Sequence, residues 1–166
     1  RKISMSYLDT IRRYLSSFFA WVSDEGYIQK NPMRRLKKIK VPQSIKKPFT
    51  AAEMEHLRCN AESQRDVAIM EFLYSTAARI GEVIRLNRND IDWSNKEVII
   101  YGEKGKKERK VYLTDECAYH LKKYLFARTD MNPALFVSNK QPHNRLGKQA
   151  IQSMLRTLGK KTGIHA

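Results

Sequence analysis

Arg79 stands in the segment Thr76-Ala77-Ala78-Arg79-Ile80-Gly81-Glu82, and Lys104 stands at a glycine turn 25 residues later, within Ile100-Tyr101-Gly102-Glu103-Lys104-Gly105-Lys106-Lys107-Glu108-Arg109. Two cations fixed around one anionic centre suit phosphate chemistry. A guanidinium is planar, multidentate and permanently charged, whereas an ammonium can give up a proton. Taken singly, Arg79 reads as an ordinary surface or helix-ending arginine and Lys104 as a solvated hairpin lysine. Lys107 is the rival lysine if the hairpin is registered differently.

The rest of the chain favours an anionic partner. Its 166 residues carry 32 Lys and Arg against 17 Asp and Glu, a formal net charge of +15. Such an excess repels itself in a compact fold, and a polyanion relieves it. Nucleic acid is the first candidate, because neutralising phosphates releases counterions. A membrane surface is second, but no lipid anchor is present and no apolar stretch approaches the roughly 20 residues that span a bilayer. Arg1-Lys2-Ile3-Ser4 lacks a following apolar region and a cleavage signal, so secretion is not encoded here. With 42% hydrophobic residues the chain can build a core. Cys59 and Cys117 have no CxxC spacing, and His56, His120, His143 and His165 have no metal-binding spacing, which predicts two buried or partly buried thiols in a reducing cytoplasm and no metal.

The elements that must position Arg79 and Lys104 are mostly helical. Tyr7, Leu8, Ile11, Tyr14, Leu15, Phe18, Phe19 and Val22 recur every three to four residues, predicting a long amphipathic helix over 6–23. Asn31-Pro32 reads as an N-cap with proline at the first helical position, opening a short helix to Lys37. These elements bury little by themselves, so helices completing the module are expected before Arg1. Residues 38–48 hold two prolines and no apolar face, predicting either an extended strap along DNA or a solubilising surface loop. Thr50-Ala51-Ala52-Glu53 is a capping box starting a helix to Arg58 or Cys59.

Further helices are predicted over 64–75, 79–86, 115–128 and 148–159. The 115–128 helix is expected to bury Ala118, Leu121, Leu125 and Phe126. Residues 89–93 read as a turn, and two strands, 97–101 and 109–113, as a hairpin. Neither GxGxxG at a strand–helix junction nor GxxxxGK[ST] occurs, so nucleotide hydrolysis is not expected.

In order and spacing, these segments resemble the tyrosine recombinase or phage-integrase family. The family's first arginine motif is matched by Tyr74-Ser75-Thr76-Ala77-Ala78-Arg79-Ile80-Gly81-Glu82-Val83. Its Leu-x-x-x-Asp-Ile-Asp element is matched by Leu86-Asn87-Arg88-Asn89-Asp90-Ile91-Asp92, and its hairpin by Lys104-Gly105-Lys106-Lys107-Glu108-Arg109-Lys110-Val111-Tyr112-Leu113. Ala77 and Glu103 stand where the family commonly has glycine. The resemblance implies a mainly α fold. An N-terminal helical core-binding module (1–40) and a basic linker (41–48) would precede the N-terminal part of a mixed α/β catalytic domain with a small β-hairpin (49–166).

The same resemblance implies site-specific DNA cleavage and rejoining through a covalent 3′-phosphotyrosyl bond, with no ATP, metal or other cofactor. Arg79 would stabilise the charge of the pentacoordinate transition state and Lys104 would protonate the leaving 5′-oxygen. Glu82 would hold the arginine or order the pocket; structurally it reads equally as a solvated surface acid. The family's remaining catalytic residues, its tyrosine nucleophile included, are expected beyond Ala166, which makes this chain inactive. Double-stranded DNA would be clamped between the two modules. Phosphate contacts are expected from Arg34, Arg35, Lys37, Lys38, Lys40, Lys46 and Lys47, with Lys106 and Arg109 as further candidates. The complete protein would work as a homotetramer on DNA and in the cytoplasm, whereas 1–166 would be monomeric and make no membrane contact. A noncatalytic DNA-binding accessory protein is the alternative, and an RNA-binding helical protein is a third.

Overall fold

The computed structural model describes residues 3–42, 47–102 and 108–164. Lys46, Glu103, Lys104, Lys106, Lys107 and His165 therefore lie outside the described residues. The chain divides into two compact units, Arg1–Lys47 and Pro48–Ala166.

The first unit is built on α1 (Met5–Asp24), whose start is capped by the Ser4 hydroxyl accepting the Tyr7 N–H. Gly26, at φ 78°, turns the chain after it. The Asn31 side chain accepts the Met33 N–H at 2.8 Å and opens a 3₁₀ turn, Pro32–Arg35, shorter than the expected helix because Leu36 returns to extended backbone. Asp9 on α1 is buried, and Met33 packs beneath the turn. Tyr7, Tyr14, Phe18 and Trp21 remain exposed, because a helix and one short turn supply too little partner surface to cover an apolar stripe.

In the second unit α2 (Ala51–Asn60) opens on its capping box. Thr50 Oγ1 accepts the Glu53 N–H, and the Glu53 carboxylate accepts the Thr50 N–H at 2.7 Å. Next comes α3 (Gln64–Thr76), capped by Ser63, with Val67, Ala68, Ile69, Met70 and Phe72 buried. It packs along α5 (Asp115–Phe126), while α2 packs against α6 (Lys148–Thr162). Between them lie the single turn α4 (Ile80–Val83) and an antiparallel sheet ordered β1 (Ile91–Asp92), β2 (Glu97–Tyr101), β3 (Glu108–Tyr112). Phe72, Val98, Ile100, Leu121, Leu135 and Ile151 form the heart of the core.

Four expectations are corrected. Residues 91–92 form a third strand where a turn was expected, because Asp92 Oδ1 accepts the Ser94 and Asn95 N–H groups and folds the chain back so that Ile91 pairs with Val98. Phe126 is 94% exposed and Tyr124 takes its place in the core. Leu121 and Tyr124 are three residues apart and share a helix face, whereas Phe126 falls off it. Gly159 stays inside α6, which stops instead at Gly163 with φ 73°. Cys59 is exposed, on the outer face of α2, and only Cys117 is buried; both thiols are free.

Candidate active site

The approach to Arg79 begins at the end of α3. The Ala77 N–H donates to the Leu73 carbonyl at 3.0 Å, and Ala77 adopts the left-handed conformation (φ 48°, ψ 30°). This reverses the chain and leaves Arg79 extended at the N-terminal end of α4. Glu82, three residues on, swings its carboxylate back to the start of the turn. It accepts the Arg79 main-chain N–H at 2.9 Å and an Arg79 guanidinium N–H at 3.2 Å. From β3, Arg109 donates two further bonds to the same carboxylate, at 3.0 and 2.7 Å.

Glu82 therefore serves four donors while its side chain is fully buried, so it is not the solvated acid of the alternative reading. Arg109 foremost, and then the Arg79 amide and guanidinium, overcome the cost of burying the charge and pull the Glu82 carboxyl down to about 2. The same pairing raises Arg109 above the ordinary arginine value. Arg79 keeps 74% of its side-chain surface exposed, so its guanidinium is held at one edge and open at the others. That arrangement can receive an anion without first breaking the ion pair.

Two side-chain clamps fix the surroundings. Ser75 Oγ donates to the Tyr112 carbonyl at 3.1 Å and accepts the Thr114 N–H at 2.8 Å, which ties the end of α3 to the end of β3. Arg145 donates to the Ile84 and Leu86 carbonyls at 2.9 and 2.8 Å, satisfying carbonyls just beyond α4. Farther off, Arg128 donates to the Asn132, Ala134 and Leu135 carbonyls and to Asp130, shaping the loop before the buried Leu135 and Phe136.

Of the expected site residues, the structure brings Arg79, Glu82 and Arg109 together. Arg34, Arg35, Lys37, Lys38, Lys40 and Lys47 are exposed in the first unit. Lys38 and Lys40 border an open hollow of about 640 Å³ shared with Ser6, Asp9 and Arg13. In it, Asp9 pairs with Arg12 and Arg13, and the Arg12 hydrogen bond lowers its carboxyl below the usual range. Lys46, Lys104 and Lys106 fall outside the described residues. Among the described residues no group of three or more His, Cys, Asp and Glu could hold a metal, and no helix is long and apolar enough to cross a membrane.

The holding role of Arg109 and the clamps by Ser75 and Arg145 were missed from sequence. A signal existed for Arg109. In β3 it shares the inward face with Val111 and pairs with the fully buried Ile100, a place where an arginine needs a carboxylate.

The chain is similar to known proteins over nearly its whole length. A Pyrococcus horikoshii protein, tyrosine recombinase XerA, is 26% identical over 163 residues, covering 98% of this chain and 55% of that protein. Tyrosine recombinase XerC of Chromobacterium violaceum is 33% identical over 164 residues, covering 93% of this chain and 54% of that protein. The chain thus spans about half the length of these curated relatives. A crystal structure of XerA recombinase superposes with a TM-score of 0.64 at 26% identity, over 99% of this chain and 64% of the other. A lambda integrase dimer bound to a COC′ core site shares the fold, with a TM-score of 0.80 at 17% identity, over 98% of this chain and 47% of the other. The match to the model of the phage integrase family runs over residues 35–166, and this chain belongs to that family.

Proposed function

We propose that the protein to which this chain belongs cleaves and rejoins DNA strands at specific sites through a 3′-phosphotyrosyl intermediate, with Arg79 as its first phosphate-binding arginine. The observation that carries this reading is the outward-facing Arg79 guanidinium, held by the buried carboxylate of Glu82. Negative charge grows on the non-bridging oxygens as the phosphate becomes pentacoordinate. A guanidinium fixed in advance stabilises it without reorganising at the moment of reaction. Lys104 is the proton donor to the departing 5′-oxygen.

The exposed Arg34, Arg35, Lys37, Lys38, Lys40 and Lys47 supply contacts to the duplex backbone. Relatives of the same fold include the lambda integrase bound to its core site, which supports DNA as the partner. None of the eight tyrosines of this chain is assigned as the nucleophile.

A suicide DNA substrate and a denaturing gel test the proposal. In the complete protein Arg79→Ala lowers covalent-complex formation by roughly 10²-fold or more while DNA affinity is retained. Cleavage by the variant near the original rate would refute the assignment. A complete protein that binds DNA but forms no covalent complex would leave the accessory-protein reading.

A further inference from the structure

We propose that Arg109 is a positioning residue for Arg79, acting through Glu82, and is not one of the cations that touch DNA phosphate. The proposal rests on the reading of Arg79 as the phosphate-facing arginine. Its basis is geometric. Arg109 reaches Glu82 with two bonds, from Nη1 to Oε1 at 3.0 Å and from Nη2 to Oε2 at 2.7 Å, the bidentate pairing in which guanidinium and carboxylate fit best. The Arg79 guanidinium reaches Oε1 at 3.2 Å, the longest of the four hydrogen bonds.

Exposure divides the two arginines in the same way. Arg109 keeps 38% of its side-chain surface and Arg79 keeps 74%, against none for Glu82.

The charge count gives this arrangement a purpose. Arg79 and Glu82 alone would be a neutral pair, with the guanidinium charge cancelled before any phosphate arrived. A second guanidinium leaves the three groups at net +1. Glu82 can then hold Arg79 by its main-chain N–H and one guanidinium edge, while Arg109 neutralises the carboxylate. Ser75 joins the end of α3, just before the turn that carries Arg79, to the end of β3, the strand that carries Arg109. Arg109 thus frees the charge of Arg79 for an incoming anion.

Side-chain NMR of the chain, with isotope-labelled arginine and glutamate, tests the idea alongside salt titration of binding to a DNA duplex. In the wild type the Arg109 guanidinium should show separate, slowly rotating Nη signals and Arg79 averaged ones. Averaged Arg109 signals would overturn the proposal, and this measurement needs no variant to fold. In Arg109→Gln the Glu82 midpoint should rise by about 1–3 pH units, as expected when an opposite charge is removed. Arg79 should then take over the slow-rotation signature as it closes on Glu82. Arg109→Lys, which keeps the charge but not the fork, should restore most of the Glu82 midpoint.

Unchanged Glu82 and Arg79 signals in Arg109→Gln would refute the coupling. On DNA, adding Arg109→Gln to a chain that already carries Arg79→Ala should leave the slope of log K against log salt unchanged, whereas losing a direct phosphate contact of Arg109 would lower it by about 0.9. A drop of that size would return Arg109 to the DNA interface. None of these readouts involves strand cleavage, so the proposal can fail with the recombinase reading intact. Conversely, cleavage by Arg79→Ala would remove that reading and leave these signals as they are.

Discussion

The main-chain N–H and the guanidinium of Arg79 both donate to the carboxylate of Glu82, three residues later, at 2.9 and 3.2 Å. One acid thereby caps the turn that carries the arginine and also orients its side chain. Capping alone would be satisfied by an exposed glutamate. Burial adds rigidity, since a charge without access to water is held by the groups that pair with it.

Stability should fall in acid because of this carboxylate. Glu82 sits at about 2 in the folded protein against an ordinary glutamate value of 4.5. A lowered carboxyl stabilises the fold above its unfolded value, and the contribution is lost as pH falls from about 5 towards 2. Asp130, held low first by Arg128, acts in the same direction. Glu82→Gln should cost about 2–3 kcal/mol at neutral pH, below the usual penalty for breaking a buried pair because Arg109 is partly exposed. Urea unfolding at several pH values checks both points. A variant with wild-type stability at pH 7 and an unchanged acid limb would contradict them.

Ala77 carries a Cβ in the left-handed region, where an L-residue costs about 1–2 kcal/mol. Ala77→Gly removes that strain but adds unfolded-state freedom. The net gain should be roughly 0.5–1 kcal/mol, a rise of about 1–4 °C in Tm for a chain of this size. Thermal denaturation measures it, and a lower Tm would mean that the left-handed turn is not strained.

The thiols should separate by reactivity. Cys59 is exposed, whereas burial pushes the Cys117 thiol up to about 12. A thiol reagent at pH 8 should therefore modify one cysteine in the native protein and both after unfolding. Rapid native modification of both would show that α5 opens readily.

The basic stretch of the first unit should show itself in salt. Replacing Arg34, Arg35, Lys37, Lys38 and Lys40 together with glutamine should flatten the dependence of DNA affinity on salt by about 0.9 for each phosphate no longer neutralised. Binding should weaken to a similar extent on unrelated duplexes, because phosphate contacts carry no base identity. An unchanged slope would place the DNA interface elsewhere.

Free in solution, residues 1–166 should scatter light as a monomer, with four protomers gathering only when the complete protein holds two duplex sites. A stable DNA-free tetramer of this chain would contradict the expectation.

Local chemistry made much of the chain legible before any coordinates. Thr50 and Thr114 announce their helices because a cap is satisfied within three residues of itself. The hairpin of β2 and β3 follows from alternation on either side of a glycine-rich connection, and Arg79 stands out by its neighbours in sequence. Three other features could not be read in that way. Asp92 looks the same in a loose turn as in one that closes a strand pair, and only the pairing of Ile91 with Val98 distinguishes them. Phe126 is apolar wherever it stands, and only the packing of Leu121 and Tyr124 into the core decides which face of α5 is buried and leaves Phe126 off it. The bond between Arg109 and Glu82 joins residues 27 apart. Whether a charged side chain is solvated or paired depends on what folding brings beside it and on how much water remains there. Residue type and spacing establish that an arginine is available for phosphate, but only tertiary structure decides which arginine faces outward and which is committed to holding it.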